Sequence, residues 1–217
     1  MKLKRMLEYR RLLRTTQPRR YVNLFRTIYQ RRCRRIIEIG TWNAVHAEQM
    51  ILTAGARHPI ESVVYCGFDL FEELTDEQFK LEFSKRPPNY QEVLHRLQRT
   101  GADIRLVRGN TRETLPRSGE LLRGADFVFI DGGHSIETIA GDWSAVRQAM
   151  GPQTTVIFDD YYPGAGPELA GLGCQHLIDG LDRSEYSVEL LEPTDAFEQP
   201  WGVLRVQMAR VMLSRSS

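Results

Sequence analysis

The chain has 217 residues, 41% of them apolar and 26% charged, with a formal net charge of +1. This is an ordinary globular composition, long enough for one domain with a sizeable core, and no apolar run approaches the length of a membrane span. The cysteines Cys33, Cys66 and Cys174 are odd in number and follow no disulfide or metal-ligand spacing, so a reducing compartment, the cytoplasm, is expected.

The near-zero charge hides an asymmetry. Residues 1–35 hold 13 Lys or Arg and one acid, Glu8, whereas the remainder holds 16 basic and 27 acidic residues. Such a basic start reads as a solvated helical face that also attracts its own acidic body, or as a contact for an anionic partner such as lipid headgroups or nucleic acid. It has no apolar h-region and is not expected to be a secretory signal. Tyr21, Leu24, Phe25, Ile28 and Tyr29 form an apolar stripe at helical spacing. Residues 1–34 are therefore expected to form a basic helical arm, a candidate dimer surface, ahead of a single domain over 35–210.

From there strand and helix patterns alternate. Arg35–Ile39 (RIIEI) reads as a strand, and Gly40 breaks it before a helix over 44–54. Val63–Phe68 is a second strand. A helical region over 75–100 follows, interrupted at Pro87-Pro88, with Thr75 and Gln78 spaced as a capping box and Asn89 placed as an N-cap. Ile104–Val107 is a third strand and 112–122 a short helix. Asp126–Ile130 is a fourth strand, followed by a helix over 136–150. Thr154–Phe158 is the fifth, then a glycine-rich loop over 163–173 and a helix over 174–181. Tyr186–Leu191 and Gly202–Met208 look like strands joined by a loop containing Pro193 and Pro200, able to pair as a hairpin. Short runs rich in Val, Ile and Phe without alternation suit strands buried on both faces. The implied fold is α/β: a Rossmann-like, doubly wound, mostly parallel seven-stranded sheet with a C-terminal antiparallel hairpin.

In such a sheet the ligand crevice lies outside the carboxyl ends of the strands, and acids stand at several of those ends. Glu38 precedes the Gly40 turn, where glycine lets a ligand approach the backbone or simply serves the turn's geometry. Asp69 ends the second strand, suited to ribose hydroxyls or to capping a turn. Asn110 follows the third strand, where it can read an adenine edge or N-cap the next helix. Asp131 ends FVFID, and Asp159-Asp160 end TVIFDD. Three carboxylates converging from two strand ends repel unless a cation or proton sits between them, and oxygen ligands suit a hard metal such as Mg²⁺. Capping would explain one acid at a time. The dinucleotide fingerprint G-x-G-x-x-G is absent after Gly40, which argues against a nicotinamide dehydrogenase.

In chain order the segments EIGTWN, FDLFEE, VRGNTRETL, FVFIDGGHSIETIAGDW and VIFDDYY resemble the class I S-adenosylmethionine-dependent methyltransferases. More narrowly, they are similar to methyltransferase domain family 24, near the macrolide-sugar and cephalosporin-pathway O-methyltransferases. The likeness runs from about residue 20 to 208, and the IDGGH and DDY segments are its most specific part. The resemblance implies that Glu38, Gly40, Thr41, Asp69 and Asp131 contact S-adenosylmethionine and that Asn110 lies near adenine. It also implies that Asp131, Asp159 and Asp160 hold Mg²⁺. His134, in the D-x-x-H arrangement, would be the general base, with the metal-bound Asp131 as the other catalytic residue; a histidine merely bonding the loop is the plainer alternative. Where the family turn continues with a second small glycine and a serine, this chain has Asn43-Ala44-Val45-His46. Ala44 is expected to cost little, Val45 and His46 to add bulk, and His46 to lie on the helix surface.

The expected activity is metal-assisted methyl transfer to a hydroxyl of a small molecule such as a sugar or catechol-like diol. The alternatives are a metal-independent N- or carboxyl methyltransferase and a non-catalytic cofactor-binding module acting through its basic arm. The stretches 71–89, 163–173 and 192–200 are expected to shape the acceptor pocket.

Overall fold

The computed structural model describes residues 2–82, 85–164 and 166–214. Its strands are β1 (Arg35–Ile39), β2 (Val64–Asp69), β3 (Asp103–Arg108), β4 (Phe127–Ile130), β5 (Thr155–Tyr161), β6 (Tyr186–Gln199) and β7 (Gly202–Leu213). They form one seven-stranded sheet in the order β3-β2-β1-β4-β5-β7-β6. The first five strands run parallel, and β7 pairs antiparallel with both β5 and β6. The strand order reverses between β1 and β4, and a doubly wound sheet opens its ligand crevice at that point.

The helices are α1 (Lys2–Thr15), α2 (Val22–Arg31), α3 (Val45–Ala54), α4 (Asp76–Leu81), α5 (Tyr90–Gln98), α6 (Thr111–Arg117), α7 (Gly119–Leu122), α8 (Ile136–Ala149) and α9 (Gln175–Asp179). Side chains of successive strand residues point to opposite faces, and the core divides accordingly. Ile36, Phe127, Phe129 and Ile157 face a layer containing Tyr9, Leu12, Leu24, Phe25, Ile28, Met50 and Leu97. Ile37, Ile39, Val128, Ile130, Val156 and Phe158 face the other layer, with Leu115, Trp143, Val146 and Ile178. The apolar stripe of α2 is therefore core, and the basic start of the chain is folded onto the sheet. Tyr9 of α1 stacks on Tyr29 of α2 at 4.1 Å between ring centres.

Thr75 and Gln78 form the expected capping box on α4, and Asn89 accepts from the Glu92 amide at 3.0 Å to cap α5. Three expectations change. The helix expected over 112–122 is two helices that break at Ser118, where the Ser118 amide turns to the Leu115 carbonyl at 3.0 Å. The fifth strand extends through Asp159-Asp160 to Tyr161. The stretch 192–200 is not a loop: β6 runs through Pro193 to Gln199, and the hairpin turns at Pro200-Trp201. Proline is tolerated there because β6 is an edge strand and the register shifts between Leu191 and Asp195.

Gly40 sets the spacing at the crevice. Its φ is +93°, and a Cβ at this position would lie inside the main-chain carbonyl of Asp131. The turn after β1 and the end of β4 thus touch through bare backbone. A Gly40→Ala protein is expected to lose about 3 kcal/mol or more, from overpacking plus an unfavourable φ. A lower urea midpoint at unchanged m-value would show it, and an unchanged midpoint would mean that the two turns are not in contact.

Candidate active site

The β1 side of the crevice is built around two carboxylates. Glu38 is buried, and its carboxyl accepts a hydrogen bond from the Tyr65 hydroxyl. Tyr65 also reaches the Thr41 hydroxyl at 3.3 Å, so one phenol ties the strand end to the turn. Burial pushes Glu38 up to about 8, against the opposing pull of the Tyr65 hydrogen bond. Asp69 accepts from the Trp42 amide at 2.7 Å and the Phe71 amide at 2.9 Å. Those residues have φ of +42° and +49°, a region bulky side chains rarely adopt. Asp69 therefore clamps the turns after β1 and β2 together. Each carboxylate oxygen has a second lone pair, which leaves acceptor capacity toward the crevice. Asn110 N-caps α6, accepting from the Arg112 amide at 3.0 Å.

The β4–β5 side holds the three aspartates. Asp131 continues the face of Phe127 and Phe129, and Asp159 that of Ile157, so both point toward the α1–α2 layer. Asp160 is turned out of this pattern. The β5–β7 register shifts between Phe158 and Tyr161, and Asp160 takes φ +59°. This bulge sends adjacent acids to different partners.

Asp159 is met by the segment before α2. Arg20 donates from Nε to Oδ1 at 2.7 Å and from Nη2 to Oδ2 at 2.9 Å, a bidentate pair that is almost wholly buried. Tyr21 donates to Asp159 Oδ2 at 2.9 Å and lies 3.3 Å from Asp131 Oδ2. Asp195 of β6 seats this segment. It accepts from the Arg19 and Arg20 amides at 2.8 and 2.9 Å and from Arg20 Nη1 at 3.4 Å. Burial disfavours the guanidinium charge, but the charge of Asp159 and its hydrogen bonds outweigh this and hold Arg20 above its ordinary range.

Asp160 pairs with His134, whose Nε2 lies 3.1 Å from Oδ2. His134 Nδ1 bonds the Glu82 carbonyl, and Glu82 in turn accepts from the Ser135 amide and from the Ser135 and Thr138 hydroxyls. Burial opposes a charged imidazole, yet Asp160 overrides it and raises His134 to about 10. Asp160 itself is lowered: burial works against this, and the bonded imidazolium prevails. Both contacts of His134 are to acceptors, a carboxylate and a carbonyl, and the Asp160 charge favours the protonated ring. Asp131 has no cation of its own. Burial first, then the charges of Asp159 and Asp160, raise it well above the ordinary carboxylate range.

The site therefore brings Asp131, His134, Asp159 and Asp160 together, with Gly40 against Asp131. Asp69 and Asn110 also serve their own turns. Both oxygens of Asp159 accept from the Arg20 guanidinium, so this carboxylate is already paired with a cation. Among the described residues no cluster of three His, Cys, Asp or Glu side chains is arranged to hold a metal ion. Two details of the turn also depart from expectation. Ala44 is in the left-handed region at φ +59°, which an alanine enters only at a cost. His46 is half-buried and stacks on Tyr21 at 4.0 Å.

Residues 37–161 match the model of a methyltransferase domain, Methyltransf_24, over more than half of the chain. The chain belongs to that family. It is an S-adenosylmethionine-dependent methyltransferase, and its sheet is that of the Rossmann-like class. No curated protein matches it by sequence. Among solved structures, cofactor-bound Rv0187 from MTB shares the fold with TM-score 0.65 at 12% identity, over 99% of this chain and 89% of that one. The O-methyltransferase TomG from Streptomyces achromogenes, solved with SAM, gives 0.58 at 18% identity, over 99% and 89%. MycE from the mycinamycin biosynthetic pathway, solved with Mg and SAH, gives 0.52 at 18% identity, over 98% of this chain and 54% of its own.

Sequence reasoning missed Arg20, Tyr21, Asp195 and Tyr65. The partners of Asp159 lie 139 and 138 residues away in the chain, and no local spacing announces them. The one available signal is the charge asymmetry between the basic start and the acidic body.

Glu38 provides a pH prediction. Its folded value of about 8 lies above the ordinary 4.5, so between those values the native state binds more protons than the unfolded chain. Stability should therefore fall as pH rises from about 4.5 to about 8. Urea titrations across that window should show the slope, and Glu38→Gln should flatten it. An unchanged slope in the variant would mean that Glu38 is not the group responsible.

Proposed function

We propose that this methyltransferase acts on oxygen, transferring a methyl group to a hydroxyl of a small molecule such as a sugar or catechol-like diol. Glu38, Gly40, Thr41 and Asp69 would hold S-adenosylmethionine, whose sulfonium makes its methyl electrophilic, with Asn110 beside adenine. What carries the reading is adjacency: the Gly40 turn and Asp131 are in backbone contact. A carboxylate thus stands next to the turn that faces the methyl donor, where it can take the proton an acceptor hydroxyl must lose. Among the described residues, the Tyr21 hydroxyl is the one side-chain group hydrogen-bonded to Asp131, at 3.3 Å, so acceptor capacity remains. Only the ionised form of Asp131 can take this proton.

His134 keeps a different part. Paired to Asp160 and the Glu82 carbonyl, it fixes the β4–α8 turn. The glycine-rich loop docks on the same turn, with the Gly173 amide donating to the His134 carbonyl at 2.8 Å. The described residues of this loop and of the segment over 71–89 are the proposed walls of the acceptor pocket; residues 83, 84 and 165 of these stretches lie outside the described residues. The exposed Lys4, Arg10, Arg11 and Arg14 of α1 are the proposed contact for an anionic partner. Salt-sensitive binding to anionic vesicles or RNA would bear that out, and salt-insensitive binding or none would dismiss it.

Incubation with S-adenosylmethionine and a panel of hydroxylated acceptors should yield a methyl ether and S-adenosylhomocysteine. Asp131→Asn should lower kcat by about 10²-fold or more, the scale of general-base catalysis. Full turnover in that variant would remove Asp131 from the chemistry, and methylation of amines alone would remove the oxygen assignment.

A further inference from the structure

The acidic crevice already contains a cation, supplied by the chain itself. Arg20 meets Asp159 with two hydrogen bonds of 2.7 and 2.9 Å, and their side chains are 9% and 1% exposed. With the Tyr21 hydroxyl, the two oxygens of Asp159 receive three hydrogen bonds from this one segment. The guanidinium is not a loosely placed surface charge. Asp195 accepts from the Arg19 and Arg20 amides at 2.8 and 2.9 Å and from Arg20 Nη1 at 3.4 Å, so backbone and side chain are held together. Tyr21 is fixed in its turn by stacking on His46 at 4.0 Å and by edge contact with Phe129 at 6.2 Å.

Magnesium demands near-octahedral oxygen ligands at about 2.0–2.1 Å. Three of the roughly four acceptor positions of Asp159 are already filled by this segment, and an arginine keeps its charge at any ordinary pH. A dication in the crevice would also face that neighbouring positive charge.

We propose that Arg20 takes the place of a divalent metal in this site, so that the protein neither binds nor needs a metal ion at the carboxylates of Asp131, Asp159 and Asp160. Arg20 is then a positioning residue. It fixes Asp159 and, through the adjacent Tyr21, places a phenol hydroxyl between Asp159 and Asp131. This inference concerns the same cleft as the methyl-transfer reading. Its test reads metal binding directly, so the two stand or fall separately.

The experiment is titration of the purified full-length protein with Mn²⁺, following free ion by electron paramagnetic resonance and stability by thermal melting. The wild-type protein should bind no Mn²⁺ at micromolar concentrations, and its melting temperature should be the same in Mn²⁺ and in chelator. Arg20→Gln, which keeps a hydrogen-bonding side chain but no charge, should bind Mn²⁺ at least tenfold more tightly and gain melting temperature with it. Adding Asp159→Asn to that variant should abolish the gain. Micromolar Mn²⁺ binding by the wild type that is lost in Asp159→Asn would overturn the proposal. So would a folded Arg20→Gln protein that still ignores the ion. Should Arg20→Gln fail to fold, the wild-type titration set against Asp159→Asn decides alone.

Discussion

Carboxylates that end neighbouring parallel strands on one face must find positive charge or keep their protons, and this constraint organises the site. Asp131, Asp159 and Asp160 crowd the ends of β4 and β5, at the edge of a core whose strands are almost wholly apolar. The fold resolves the crowding in three ways. Asp159 takes a guanidinium, Asp160 an imidazolium, and Asp131, left without a cation, is pushed toward its neutral form. An isolated buried charge is costly, and a buried pair lasts only with good geometry and further hydrogen bonds to its free lone pairs. The bidentate Arg20–Asp159 contact, closed by Tyr21 and Asp195, meets that condition. It also explains why a segment with so many basic residues is folded into the sheet's face: one of its arginines has a buried place to go.

Backbone strain collects around the same spot. Trp42, Ala44, Phe71 and Asp160 all have positive φ; the first three lie in the turns after β1 and β2, and Asp160 at the bulge near the end of β5. Each conformation is unfavourable by itself and persists because its surroundings hold it. Asp69 holds Trp42 and Phe71 through their amides. Asp160 is held by the His134 contact and by its own carbonyl, which accepts from the Cys174 amide at 3.0 Å. The strain has a geometric use. In a regular strand Asp159 and Asp160 would alternate between faces with no other freedom. The bulge instead aims Asp160 at the β4–α8 turn while Asp159 stays with Asp131.

Much of the fold was legible because its signals are local. Apolar runs bounded by turns marked all five parallel strands, and Thr75 with Gln78 and Asn89 marked helix starts whose caps depend on residues three apart. The strand-end acids were legible for the same reason, since a strand's last residue is known once the strand is. Two kinds of information were not local. Pro193 read as a loop breaker, and only its place at a register shift on an edge strand makes it compatible with a long β6. The partner of Asp159 lies at the far end of the chain. A row of aspartates at strand ends says that a cation is needed, but composition cannot say whether a metal or an arginine supplies it.

Val45 and His46, read from sequence as bulk added at the cofactor turn, have a structural counterpart in the same segment. The His46 ring lies flat on Tyr21, the residue after Arg20, at an interplanar angle of 11°. Burial holds His46 down near 4, so it stacks as a neutral ring and adds no charge beside Arg20. A serine at that position would offer Tyr21 no ring to stack on, and Tyr21 would then be freer to leave Asp131 and Asp159. The altered turn and the arginine in the acidic crevice are therefore one feature. The start of α3 grips the segment that delivers Arg20, so a change at the cofactor turn and a change of cation at the carboxylates support each other.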